Sequence, residues 1–337
     1  MIKFFRKLRH SSLMESKFSK YLLYAFGEII LVVIGILIAF QVNSWNTNKT
    51  NEKEAYNQLL EVQKEIASNI IEFDQEGDYY FEKHRDLRRV FSDTLPFEAY
   101  LAQPNLYNIM NSYSPVEIQN EAFNKLIQNA DNLPNAYKPL VLALKNLYNM
   151  SSFELPYNRL LNLNPGNNDF SEDFAASLYR SEPDNYIRFI MTSKAYKNRL
   201  VTYGITLRDV TNNLLRKKYK ALKIHQQMVT LGFPDKNMQQ LEQMYMAVNA
   251  EVVKPFIGSY TSEEYTIEIR YNTENNKLLV EWLNPTTGEK EEVNNITIQD
   301  SATLNMNGTP LEFNIHKGLI FIPLSWKYNN QLKKIRE

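Results

Sequence analysis

Between Tyr24 and Trp45 the chain reads YAFGEIILVVIGILIAFQVNSW, an apolar run of about 20 residues, the length a helix needs to cross the hydrocarbon core of a bilayer. In lipid every backbone N–H and C=O must be satisfied within the segment, so such a run folds as a helix. Its flanks set the orientation. Lys3, Arg6, Lys7, Arg9, Lys17 and Lys20 precede it with only Glu15 opposing them, whereas Lys49 and Lys53 beyond it are mixed with Glu52 and Glu54. Positive charge stays on the cytoplasmic side. The sequence therefore predicts a basic cytoplasmic segment over 1–20, a transmembrane signal-anchor over 21–45 and a periplasmic remainder. A cleaved leader would have a shorter core and small residues before a cut site, and the exit AFQVNSW provides neither.

One residue is out of place in that run: the glutamate Glu28. On a helix Tyr21, Tyr24, Ala25, Glu28, Val32, Gly35 and Ala39 share one side, and Gly35 with Ala39 forms a small-xxx-small pair. An ionised acid at the bilayer centre costs about 2.5–3.5 kcal/mol on insertion scales. The expectation is a membrane-helix contact through Glu28, Gly35 and Ala39, made with a second copy or with another membrane protein. The competing reading places Glu28 at the interface, satisfied by Tyr24 and water.

The block Phe18–Asn46, with the opening MIKFFRKLR, resembles the amino-terminal signature of an uncharacterised family of single-pass membrane proteins from Bacteroidota, domain of unknown function 6090. The matching positions are Tyr24, Gly27, Glu28, Gly35 to Ala39, Gln41, Asn43, Trp45 and Asn46. Farther on, Glu121–Asn149 is similar to a helical pattern that follows the anchor in such proteins, without the Ser-Gly expected near Asn129. The resemblance implies a bacterial inner membrane and no known activity.

Beyond the anchor the chain divides in two. From Asn51 to Phe91 apolar residues recur at Leu59, Ile66, Ile70, Phe73, Tyr80, Leu87 and Phe91, interrupted by Gln63, Gly77 and His84, which is a helical track. Pro96 and Pro104 end it. A helix is predicted from Ser114-Pro115 to about Ala130, another from Pro139 through Tyr148 and on to Leu161, and a loop over 162–173. A second long stripe, Asp184 to Leu231, carries Phe189, Tyr196, Leu200, Tyr203, Leu207, Val210, Leu214, Ala221, Ile224 and Met228. The two long helices would each reach roughly 60–70 Å and are expected to pack antiparallel, much as in a coiled coil. A shorter helix over 238–252 completes a helical domain spanning 46–254.

From 255 to 337 the pattern changes to alternation, in YTIEIRY, KLLVEWL, NITIQ, LEFNI and LIFIPLSW, with turn signals at Asn275-Asn276, Pro285–Gly288, Asn307-Gly308 and Lys317-Gly318. Short antiparallel strands of this kind close into a small barrel or sandwich. The fold class expected is thus α+β: an N-terminal transmembrane helix, an elongated helical bundle and a C-terminal small antiparallel β domain. Phe256–Tyr260, FIGSY, is similar to the opening of small β domains appended to penicillin-recognising serine hydrolases, a likeness that carries no catalytic residue.

Motifs for chemistry are few. The chain has no cysteine, which excludes disulfides, thiolate catalysis and Cys-ligated zinc. Lys plus Arg and Asp plus Glu stand at 38 each, so no overall field draws nucleic acid. His10, His84, His225 and His316 lack zinc-ligand spacing, and no nucleophile elbow, metalloprotease helix or phosphate loop occurs. Asp74, Glu76 and Asp78 alternate as calcium ligands do, but Gly77 and Arg85 stand where the EF-hand pattern fails, and a solvated helix face is expected instead. The run RKKYKALK, Arg216–Lys223, is likewise read as a solvated or salt-bridged face. Tyr260, Tyr265, Tyr271, Trp282 and Trp326 are assigned to a β core.

No catalytic, cofactor or metal residues are therefore assigned. The expected function is a membrane-anchored periplasmic interaction, scaffold or sensing protein, with the lipid bilayer as partner and no nucleic acid. The alternative is an envelope enzyme or carrier of an apolar ligand, with a site between the helices or in the β domain and carboxylates such as Asp74 or Glu76.

Overall fold

The computed structural model describes residues 17–130, 133–163, 173–234, 248–274, 276–284, 287–293, 296–306, 309–322 and 331–335. The basic residues Lys3 to Arg9, His10, most of the loop expected over 162–173 and of the helix expected over 238–252, the turn residues Asn275, Pro285, Asn307 and Gly308, and Trp326 lie outside them. The helices are α1 (Lys17–Phe91), α2 (Phe97–Ala102), α3 (Pro104–Tyr107), α4 (Glu121–Gln128), α5 (Lys138–Tyr148), α6 (Ser151–Asn162), α7 (Ala175–Tyr179), α8 (Asp184–Thr192), α9 (Lys194–Thr230) and α10 (Ala250–Val253). Strands follow: β1 (Gly258–Thr261), β2 (Thr266–Asn272), β3 (Lys277–Leu283), β4 (Lys290–Val293), β5 (Ile296–Asp300), β6 (Thr303–Met306), β7 (Thr309–Asn314), β8 (Leu319–Phe321) and β9 (Gln331–Lys334).

Helix α1 is one continuous element of 75 residues. No break falls at Trp45, because Asn46 to Phe91 contains no proline and a single glycine, Gly77, so nothing in the sequence interrupts the i→i−4 ladder. Its amino-terminal part is long and apolar enough to cross a membrane by length and composition. There Leu22, Phe26, Ile29, Ile36 and Phe40 are all exposed, as side chains solvated by acyl tails would be. The Lys49 ammonium lies 4.7 Å from the centre of the Trp45 ring at the end of this stretch.

From Ala55 onward α1 is a core helix. Leu59, Ile66, Ile70, Phe73, Tyr80 and Leu87 are buried, and so are the three interruptions of the track. The Gln63 amide donates to the Pro234 carbonyl at 2.9 Å, a Cβ at Gly77 would come within 3.1 Å of Leu215, and His84 is 7% exposed. Helix α9 supplies the opposite wall and runs antiparallel, since Asp93 meets Lys197, Leu87 meets Gly204, Gly77 meets Leu215 and Asp74 meets Lys218. At Gly204 a Cβ would lie 2.5 Å from Leu87 Cδ2, so the bare backbone is what lets the two helices touch there.

The structure corrects three helix boundaries. The stripe from Asp184 to Leu231 is split, because the Ser193 hydroxyl accepts from the Tyr196 amide at 3.2 Å and caps α9; serine satisfies an orphan amide better than it continues a helix. The helix expected from Ser114 begins only at Glu121. Residues 114–120 are pinned along α1 instead. The Tyr80 hydroxyl donates to the Ser114 carbonyl at 2.6 Å, the Glu117 amide donates to Glu72 at 2.8 Å, and Asn69 exchanges bonds with the Gln119 backbone. Buried Glu65 then caps α4 from outside, accepting from the Ala122 and Phe123 amides at 2.7 and 3.2 Å and from the Tyr148 hydroxyl at 2.7 Å. The helix expected to continue through Tyr148 to Leu161 is divided into α5 and α6 at Asn149-Met150.

The strands form a curled antiparallel sheet, a half-barrel, in the order β4-β3-β2-β1-β9-β8-β7-β6-β5. The first and last strands join at its centre, with Tyr260 opposite Lys334. One face is filled by Ile267, Val280, Ile298, Leu304, Leu311 and Leu332, all fully buried, and Val253 and Phe256 of the α10 region plug it. Tyr260 is core, as expected, its hydroxyl donating to the Phe256 carbonyl at 3.1 Å. Tyr265, Tyr271 and Trp282 pack partly exposed around the edge of that core. Alternation did not reveal β1, β6 and β9, each only four residues long, nor the charged β4, KEEV.

Candidate functional site: a charged junction between bundle and sheet

The face of α1 that turns toward the half-barrel carries Asp78, Arg85 and Arg88, spaced by seven and three. Each makes a contact that the linear sequence conceals. The Gln299 amide donates to Asp78 at 2.7 Å. Glu312 of β7 takes one oxygen to Arg85 Nε and the other to Arg88 at 2.6 Å. Arg85 also reaches the Thr303 hydroxyl at 3.2 Å and Asp300 at 3.9 Å, and its guanidinium stacks 4.7 Å from the centre of the Phe81 ring. Arg88 lies 4.2 Å from the centre of the Phe321 ring in β8. Burial works against the charge on Arg85, but Glu312, Glu82 and Asp300 outweigh it and raise its pKa. One carboxylate shared by two arginines is a charge-assisted clamp with fixed direction.

A second cluster on the same stretch faces the bundle. Lys83, 7% exposed, donates to the Ser112 carbonyl and at 3.1 Å to its hydroxyl, with the Tyr79 and Tyr203 rings each 5.6 Å away. Burial pulls its pKa down to about 7. Burial, helped by Arg88 and Arg208, lowers His84 to about 3, so the imidazole is neutral in its packed position. Asp74 pairs with Lys218, and Glu76, raised by burial, accepts from the Ser114 hydroxyl at 2.8 Å.

The solvated face expected for Asp74, Glu76 and Asp78 is thus corrected, whereas the basic run is solvated or salt-bridged as expected except at Lys217. Asp74, Glu76 and Asp78 reach three different partners on α9, on the segment before α4 and on the sheet. In the basic run, Lys217 and Lys218 are buried while Arg216, Lys220 and Lys223 remain exposed. Glu28 and Gly35 lie on the free part of α1, exposed, and a Cβ at Gly35 would meet nothing within 4 Å; Ala39 is exposed there too. Arg85, Arg88 and Glu312 escaped the sequence reading because their pairings span 227 and 224 residues.

Beside the clamp opens a cleft of about 520 Å³ bordered by Arg88, Ser92, Glu312, Asn314, Lys317 and Phe321. Fold and junction together define a mixed helix-and-sheet protein in which a long amino-terminal apolar helix continues into the body of the molecule and holds a half-barrel by ion pairs. Residues 28–171 match the model of a family of unknown function, DUF6090. The matched segment runs from Glu28 through α6, so it includes the α1 side of both the seam and the junction, and it reaches well past Trp45. No curated protein matches the chain, and no solved structure matches it.

Proposed function

We propose that the protein is a single-pass, membrane-anchored interaction, scaffold or sensing protein of a bacterial inner membrane, with its amino terminus in the cytoplasm and its helical and β domains in the periplasm. The observation that carries this reading is the continuity of α1 from the apolar segment to the charged junction. Trp45 and Arg88 are joined by 43 residues of unbroken helix, roughly 65 Å at 1.5 Å per residue, so the half-barrel is held far from the bilayer by a rod. The ionisable groups around the junction support interaction over catalysis: Asp74, Asp78, Lys83, Arg85 and Glu312 have partners within the protein. Kinship with single-pass membrane proteins of Bacteroidota is the source expected from the anchor signature.

Reporter fusions after Trp45 test the topology, and activity of a cytoplasm-only reporter at that junction would overturn it. In-membrane crosslinking of the intact protein identifies the partner. The face Glu28, Gly35 and Ala39 is the proposed contact within the bilayer: in a membrane two-hybrid assay of the span, Gly35→Leu and Glu28→Leu weaken association and Ile30→Leu does not. Equal association of all three would leave the anchor a tether.

A further inference from the structure

The basic run on α9 borders a groove of about 630 Å³ at the turn between α5 and α6. Arg216, Lys220 and Lys223 stand on its α9 side at helical spacing of four and three, covering roughly 10 Å of the axis. All three are exposed, and no ion pair engages them among the described residues. Lys217 lies beneath them, buried, donating to the Leu147 and Asn149 carbonyls at 2.6 and 2.9 Å. It thereby fixes the last carbonyls of α5 and the turn that follows. Ser151 and Ser152, in the first turn of α6, border the same groove, placing the positive end of a 12-residue helix beside the cations. No carboxylate is among the described residues lining it; the nearby acid is Glu154, whose field reaches Lys217.

We infer that this groove binds an anion carrying two or more phosphate groups. A monovalent anion would leave most of the cationic wall uncompensated, whereas a chain of phosphates offers one oxygen cluster to each of three cations along the helix. The guanidinium fork of Arg216 and the two ammonium groups are the donors that suit phosphate oxygens. The bilayer around the α1 anchor is not the source. Lys218 is level with Asp74 and Leu215 with Gly77, so the groove sits some 30 residues along α1 from Trp45, roughly 45 Å and several Debye lengths at physiological salt. The phosphates come either from a free polyphosphorylated molecule or from headgroups of another lipid surface.

The test uses the full chain in zwitterionic nanodiscs. Calorimetric titration with tripolyphosphate is expected to saturate, to weaken as salt is raised, and to be at least about tenfold tighter than titration with orthophosphate. Lys220→Ser with Lys223→Ser, both exposed and outside the core, should weaken tripolyphosphate binding about tenfold or more with no change in thermal unfolding. Cosedimentation with phosphatidylglycerol vesicles forms the second arm. Vesicle capture that the double variant abolishes assigns the phosphates to lipid; saturable tripolyphosphate binding without vesicle capture assigns them to a free molecule. Binding by the double variant equal to that of the parent, or no binding of either probe at low salt, overturns the inference.

Discussion

The bundle and the half-barrel bury different kinds of side chain. On the described strands of the half-barrel the buried polar residues are Thr303 and Asn305, and the rest of the interior is aliphatic and aromatic. The bundle buries Glu65, Lys83, Arg208, Lys217, Lys218 and His225 alongside its apolar stripe. A sheet satisfies its backbone through neighbouring strands, so its interior needs only volume. Helices leave unpaired amides and carbonyls at every end, and in the bundle those ends lie against long neighbours that can be charged. Glu65 takes the amide end of α4 and Lys217 the carbonyl end of α5. An apolar track repeating every seven residues would tolerate a sliding partner; Asp74–Lys218 and Asp93–Lys197 do not.

The largest effect is expected in the seam. Leu207, fully buried on α9, should cost about 4 kcal/mol or more as Leu207→Asp, through an unpaired charge in an apolar wall. A denaturation midpoint equal to the parent's would show that the seam is not core.

The next pair compares the two interiors. Ile267→Ala in the half-barrel should cost about 2–5 kcal/mol as a cavity. Glu65→Ala should cost about 1–3 kcal/mol, because it strands two amides and a tyrosine hydroxyl, with loss of hydrogen-exchange protection confined to the start of α4. Protection lost evenly through the bundle would mean that Glu65 holds more than that helix end.

Glu312→Gln addresses the joint between the regions. Glu312 and Arg88 are 18% and 19% exposed on their side chains, so water screens the clamp in part, and the loss should be about 1 kcal/mol. Exchange should quicken in β7 and at Arg85–Phe91 while Leu59–Ile70 is unchanged. Quickening at Leu59–Ile70 would show that sheet and bundle unfold as one unit.

The last comparison is a pH dependence of the bundle alone. Burial holds Lys83 at about 7 in the folded protein against an ordinary 10.5, so between those values the unfolded chain binds more protons. Folding stability from this residue therefore rises as pH climbs from about 7 to about 10, and Lys83→Met should flatten the rise. Parallel pH profiles of variant and parent would return the burial of Lys83 to question.

How far the sequence could be read depended on the range of each interaction. The faces of α1 and α9 follow from side-chain period alone, and even Gln63, Gly77 and His84, which break the stripe chemically, occupy its geometry. The delayed start of α4 was hidden because its cap, Glu65, is 57 residues upstream. Strands of four residues carry too little alternation to detect. The Arg85, Arg88 and Glu312 clamp had no sequence signal, since neither arginines on a helix nor a glutamate on a strand announce a partner more than 200 residues away.

An unbroken α1 also fixes angular phase. At about 100° per residue, Leu59 on the seam is turned roughly 120–160° from Glu28, Gly35 and Ala39, so the face proposed for contact within the bilayer is nearly the reverse of the side given to α9. A copy paired through Gly35 and Ala39 would thus approach the bundle from behind the seam without competing with it. Inserting one residue between Trp45 and Ala55 would swing the whole bundle and half-barrel by roughly 100° about the axis, leaving every contact within them intact while aiming the junction at a different neighbour.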